Sequence, residues 1–348
     1  MSETPETAAS VIAFPVRAVR LAKPDTAAAY AELAACTNFS FLRGASTAQD
    51  MVLTSLLHDY TGLGVADRNT LAGVVRAWLE LQQIRQDGLP TQRKVRDGGS
   101  PGEHGWTEHP DEQKLEAIKD DLKKQAKKFK LIVGSRLSFI DGTPDIIAYP
   151  KNKEGWGRLC RILTTGNLRP APGKTRAVKG ECRLVLDDLC LIADLMFIVM
   201  PGKDLDGLGW VLDHLGQRAL VWLGAAMHRQ GGDERRLQKL KEIAASARTS
   251  LIAINDALYH EPEQRDLQDV MTCIREGVKI EEAGRSLEAN AERHLKDPQE
   301  MSRLFANAPE AIAQTQMFLD LIEFDLGELK YLYPEEPVPP GWKADDYL

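Results

Sequence analysis

The sequence predicts an α/β fold with about seven strands, either a barrel or a doubly wound sheet. Three observations carry this. Seven short apolar runs recur between residues 30 and 260, most are followed by a helical pattern, and the chain becomes wholly helical afterwards. A length of 348 residues suits one large domain with an appendage, or two domains. Without pairing information the runs do not choose between barrel and open sheet.

In chain order, residues 1–29 combine small and polar residues with Pro15 in their most apolar part, which reads as a flexible leader. The first run is "YAELAA" (30–35), followed by "STAQDMVLTSLLHDY" with Ser46 as the expected helix cap. The second, "GLGVAD" (62–67), leads into "TLAGVVRAWLELQQI", where Asn69 is the expected cap. Leu71, Val74, Val75, Trp78 and Leu79 form the expected apolar face there. Residues 87–130 break the rhythm: a polar, Gly/Pro-rich loop precedes "KLEAIKDDLKKQAKKFK", a mixed-charge helix expected to be solvated. Its basic end, Lys119 to Lys130, is a possible phosphate contact. The Gly-rich "RDGGSPGEHG" lacks the Gly-Lys-Ser/Thr ending of a P-loop and receives no phosphate-binding role.

The third and fourth runs, "LIVGSRL" (131–137) and "DIIAYP" (145–150), are joined by "FIDGTP", whose Asp141-Gly142 signals a hairpin. "GWGRLCRILTT" is the next helix, then the run "MFIVM" (196–200), the helix "DGLGWVLDHLG", the run "ALVWLG" (219–224), the helix "DERRLQKLKEIAASA" and the last run "SLIAIND" (250–256). Beyond it "QRDLQDVMTCIREG" and "DPQEMSRLFANAPEAIAQTQMFLDLI" are helical, with Pro298 and Pro309 near helix starts. Residues 334–348 are extended and proline-rich.

Composition narrows the function classes. A formal net charge of −7 disfavours a general nucleic-acid coat, so any role with DNA belongs to one face or to a partner. The five cysteines, Cys36, Cys160, Cys182, Cys190 and Cys273, form no CxxC pair, which argues against a zinc ribbon and for a reducing compartment. The longest apolar run, "LCLIADLMFIVM", is too short for a membrane span. A cytoplasmic protein without a membrane partner is the expectation.

"FSFLRGAS", "ADRNTLAGVVRA", "LQDVMTCIREG" and "LEANAERHLKDPQEMSRLFANAPEA" resemble, in this order, the N-terminal part of bacterial C-family DNA polymerases, in particular the error-prone, damage-inducible paralogue of the DNA polymerase III alpha subunit. The similarity runs over residues 30 to 340 outside the insertion. It implies a PHP (polymerase and histidinol phosphatase) domain, a distorted seven-stranded (β/α) barrel over residues 30–260 with the insertion at about 87–130. A helical extension over 261–333 would lead toward a palm domain lying beyond this chain.

Related domains hold metal ions with clustered His, Asp and Glu side chains, which supports phosphoester hydrolysis. Carried over residue by residue, the resemblance places the His-x-His pair on Ala34 and Cys36. Asp67 is retained with Arg68 beside it, Arg136 takes an acidic position, and Asp256 is retained with Leu258 where a His is expected. Arginine stays protonated and cannot ligate a cation, so the expectation is no catalytic residue, no metal and no cofactor. Asp67 and Asp256 are read as ion-pair partners of Arg68 and Arg136, and Cys36 as a small buried thiol. His228 and His260 follow strands at the expected barrel mouth and are candidates for displaced ligands, with an ordinary turn histidine as the plainer reading. His58, His104, His109, His214 and His294 receive no role, and Arg275 is read as a packing or interdomain contact.

The resemblance implies a context of translesion synthesis and DNA repair. The expected function is that of a truncated N-terminal PHP domain acting as a catalytically degenerate scaffold, which would not polymerise DNA by itself. Its partners would be the palm and remaining polymerase domains, if separately encoded, and DNA only through them. Two alternatives stay open: a metal-dependent phosphoesterase with a rearranged site and zinc or manganese, and a nucleic-acid-binding module using the Lys-rich insertion.

Overall fold

All seven apolar runs are strands, and each of the first six pairs with the run that follows it in sequence. The computed structural model describes residues 29–90, 112–190 and 192–330. The expected leader up to residue 28, most of the Gly/Pro-rich stretch with His104 and His109, and the proline-rich tail lie outside the described residues. The strands are β1 (Ala31–Ala35), β2 (Gly62–Arg68), β3 (Lys130–Leu137), β4 (Ile146–Pro150), β5 (Leu195–Val199), β6 (Leu220–Ala225) and β7 (Ser250–Ala253). They form a single seven-stranded sheet in the order β1 to β7. A doubly wound sheet reverses its strand order at a switch point; this one never does, so the architecture is that of an unclosed barrel. Pairing is parallel from β1 to β3, antiparallel from β3 through β4 to β5, and parallel again to β7. The Asp141-Gly142 turn makes the β3–β4 hairpin, with Gly142 at a positive φ of 88°.

The strands read as continuous apolar runs because both faces are buried. On β5, Leu195, Phe197 and Val199 join the large outer core while Met196 and Ile198 face the inner one. The outer core is covered by helices α1 (Ala48–Leu57), α2 (Val74–Asp87), α3 (Glu112–Lys128), α4 (Lys153–Leu168), α5 (Leu208–Gly216) and α6 (Asp233–Ser246). After β7 come α7 (Arg265–Glu276), the short α8 (Ile280–Ala283), α9 (Pro298–Leu304) and α10 (Pro309–Leu321). Pro298 and Pro309 occupy the first turns of α9 and α10, as expected from their missing N–H. Helix α10 plugs the inner core: Phe318 meets Tyr149 and Trp222 edge-on, at ring-centroid distances of 5.4 and 4.8 Å.

Local details differ from expectation. Thr47, not Ser46, caps α1, accepting from Asp50 N; Ser46 Oγ instead accepts from the backbone of His260. Asn69 does not cap α2, which starts at Val74 after Gly73 without a side-chain cap. Asn69 sits at φ 52°, outside the extended region a cap requires, and accepts from Ser138 N. The buried face of α2 is Val74, Ala77, Glu80, Leu81 and Ile84, leaving Val75 and Leu79 about half exposed. Helix α3 is less solvated than its charge suggests, since Leu122 and Ala126 are buried in the outer core. Among the described residues no helix is long and apolar enough to cross a membrane.

Candidate functional site: an arginine-filled barrel mouth

Side chains alternate along a strand with a period of two. On β2 the outer-facing Leu63 and Val65 share parity with Asp67, while Gly64 and Ala66 share it with Arg68. On β3 the inner-facing Ile132 shares parity with Arg136. Arg68 and Arg136 are direct partners in the β2–β3 ladder, so two guanidinium groups enter the barrel mouth side by side. Asp145, one residue before β4, separates them: its Oδ2 accepts from Arg68 at 2.9 Å and from Arg136 at 2.8 Å.

The ion pairing expected of the two retained carboxylates holds for only one of them. Asp256 pairs with Arg136 at 2.7 Å and, through its other oxygen, with Arg293 at 2.6 Å. Arg293 also donates Nε to the Asp256 carbonyl and Nη1 to Glu288. Burial alone would raise the Asp256 carboxyl, but the two guanidinium groups outweigh it and hold its pKa down to about 2. The carboxylates of Asp256 and Asp145 drive Arg136 upward against its own desolvation.

Asp67, by contrast, does not pair with Arg68. Its parity sends it to the turn after β1, where it accepts from Thr37 N, Thr37 Oγ1 and Ser40 Oγ at 2.7–2.8 Å. Desolvation raises its pKa despite those bonds. Both oxygens of each retained carboxylate are thus already in use, one pair by neutral donors and the other by guanidinium groups. Among the described residues no three His, Cys, Asp or Glu side chains are grouped so that they could hold a metal ion.

The remaining sequence-derived positions are accounted for. Ala34 belongs to the inner core, and Cys36 and Leu258 pack together beside Tyr259. Burial, with Asp67 nearby, pushes the Cys36 thiol up to about 12, far from a reactive thiolate. His228 is at hydrogen-bond distance from the carbonyl of Asn255, 2.8 Å, and His260 is tied to Ser46, so each serves a loop. Arg275 donates to the carbonyl of Leu42 at 2.8 Å, fastening α7 to the turn after β1. Asp145, Glu288, Arg293 and Arg43 are not singled out by sequence. Only Asp145 carries a signal there, as an acidic residue opening an apolar run.

Together Arg43, Arg68, Arg136, Arg275 and Arg293 line a cavity of about 150 Å³ with Asp145, Glu288, Ser40, Gln268 and Thr272.

Known proteins resemble this chain mainly in sequence. The chain is 42% identical over 92% of its length to the error-prone DNA polymerase of Bradyrhizobium diazoefficiens. It is 43% identical over 92% to those of Bradyrhizobium sp. ORS 278 and Brucella abortus. It spans about a quarter of the length of these relatives: 25%, 24% and 26%. No family profile matches the chain. Among solved structures, a Bifidobacterium adolescentis chain provisionally assigned as a metal-dependent phosphoesterase covers 66% of this chain and 88% of itself, at 12% identity and a TM-score of 0.40. At that distance no site carries over. The chain is therefore similar, over about a quarter of their length, to error-prone DNA polymerases, the family its motifs imply.

Proposed function

We propose that this chain is the PHP region of an error-prone DNA polymerase and serves translesion synthesis as a catalytically degenerate scaffold, without bound metal. The observation that carries this reading is the pair of guanidinium groups, Arg136 and Arg293, closed on the two oxygens of Asp256. A divalent cation would have to displace both, and permanently protonated arginines repel it from the space it would enter.

A scaffold needs a face for the rest of the polymerase. On α7, Leu267, Val270 and Ile274 recur at three- and four-residue spacing and are 48%, 47% and 61% exposed. Such a stripe is ordinarily covered. The chain spans only 25% of the first of these relatives, so their additional domains are the natural cover. Arg275 at the end of α7 would then place that face relative to the barrel.

Metal analysis of protein purified without chelator, together with a generic phosphoesterase assay, tests the reading. The expected result is substoichiometric zinc and manganese and no turnover. Stoichiometric metal, with turnover abolished by Asp67→Ala, would replace the scaffold by a phosphoesterase with a rearranged site.

A further inference from the structure

The barrel mouth holds more positive charge than its own carboxylates neutralise. Five guanidinium groups line the cavity against Asp145 and Glu288; Asp256 behind Arg136 and Arg293, and Glu276 beside Arg275, supply two more negative charges, leaving an excess of one positive charge. Arg68, Arg136, Arg275 and Arg293 are committed to carboxylates, yet each guanidinium has five N–H donors and none is exhausted.

Arg43 differs from the others. It is half-buried at the cavity and makes no ion pair or side-chain hydrogen bond with any described residue. It is nevertheless held in place by its turn. Ser40 N bonds to Thr37 O, and Arg43 N and Gly44 N to Ser40 O; a Cβ on Gly44 would lie 2.2 Å from the Thr37 carbonyl oxygen. The turn is therefore built closely around a glycine and delivers Arg43 to the mouth. Burial, with Arg68 and Arg275 beside it, lowers Arg43 to about 10, a repulsion that an anion would relieve. The buried amide oxygen of Gln268, on the same wall, also lacks a partner among the described residues.

We propose that this cavity binds a tetrahedral phosphate group, with Arg43, Arg68 and Arg275 as its principal donors and Gln268 accepting from a protonated phosphate oxygen. The forked guanidinium matches phosphate oxygens two at a time. The cavity, about 150 Å³ and open to solvent on one side, has room for a single phosphate group among the guanidinium forks. The occupant is a free phosphate or the terminal phosphate of a larger ester whose remainder stays outside. This inference is independent of the polymerase reading, since it needs only the arginines and their cavity.

Calorimetric titration of the full chain with inorganic phosphate, at constant ionic strength, tests it. Saturable one-to-one binding is expected, weakened at least about tenfold by Arg43→Gln. Arg43→Lys, which keeps the charge and loses the fork, should fall between. Because the Arg43 side chain anchors no described residue, the melting temperature of either variant without phosphate should match the parent, which separates lost binding from lost folding. Absence of saturable heat at millimolar phosphate, or equal binding by Arg43→Gln, overturns the proposal. A 5′-phosphorylated oligonucleotide that displaces phosphate, where the unphosphorylated strand does not, supports it and identifies a polynucleotide end as the source. Displacement by both strands alike would reduce the site to general polyanion attraction and overturn it.

Discussion

Asp67 and Arg68 are neighbours in sequence and strangers in space. Successive strand residues point to opposite faces, so the carboxylate goes to the Thr37–Ser40 turn while the guanidinium enters the barrel. Arg68 finds Asp145 instead, and Asp256 is left to Arg136 and Arg293. The Asp256 arrangement predicts a pH effect. Its folded pKa of about 2 lies below the usual carboxylate value of ~3.9, so its stabilisation is complete above about pH 4 and is lost as pH falls toward 2. Asp256→Asn should cost about 3 kcal/mol at neutral pH. Asparagine tolerates the left-handed backbone there (φ 51°), so the charge is the main thing removed. Urea denaturation across pH should show the gap between parent and variant narrowing by roughly 2 kcal/mol between about pH 4 and 2. A gap that stays constant would show that the arginines do not hold this carboxylate down.

At the scale of elements, strands are legible and caps are not. A strand buried on both faces announces itself as an uninterrupted apolar run, and each of the seven runs lies within a few residues of the strand it marks. A cap depends on one residue's backbone angles: Asn69 has a suitable side chain, but its positive φ commits it to a turn. The α2 face departs from its apolar pattern because the helix begins only at Val74: Val74, Ala77, Leu81 and Ile84, at three- and four-residue spacing, form its buried stripe, and Val75 and Leu79 fall off it. Close approach also explains Gly64 on β2. A Cβ there would lie 2.3 Å from the hydroxyl of Tyr149, which donates to the Leu33 carbonyl at 2.6 Å across the barrel interior. Gly64→Ala should therefore destabilise by about 1–3 kcal/mol through overpacking, read as a lower urea midpoint with an unchanged slope. Combining it with Tyr149→Phe, which removes the clashing oxygen, should recover part of the loss.

On the scale of the whole molecule, the question the sequence leaves open is how the first and last strands meet. They share no ladder; a seam of separate bonds joins them. Cys36 N donates to Ala257 O at 2.9 Å, Ala45 N to Leu258 O at 2.8 Å, and α10 packs on both strands. At the centre is Glu32, wholly buried, whose carboxylate accepts from Tyr30 Oη, Ala34 N and Asn255 N at 2.6–2.8 Å. Glu32→Ala would strand those three donors, and a loss of about 3 kcal/mol is expected from denaturant unfolding, with Glu32→Gln milder because a carbonyl acceptor remains. Equal effects of the two variants would show that the seam does not depend on that acceptor. Glu32 gives no sign of this in sequence, where it reads as the polar member of an apolar strand.

The amino-acid order alone determined the α/β class, the number and position of the strands, the β3–β4 hairpin and the presence of Arg68 and Arg136 where the resemblance expects metal ligands. These follow from local periodicity and from side-chain chemistry, both of which are written residue by residue. Tertiary structure alone decided which carboxylate meets which guanidinium, that Arg293, Arg275 and Arg43 converge on the same mouth, and how the barrel seam is held. Those pairings join remote residues, 223 positions apart in the Glu32–Asn255 bond. A charge has no partner in a linear pattern; it acquires one only when strand parity and the curl of the sheet bring remote side chains within hydrogen-bond reach.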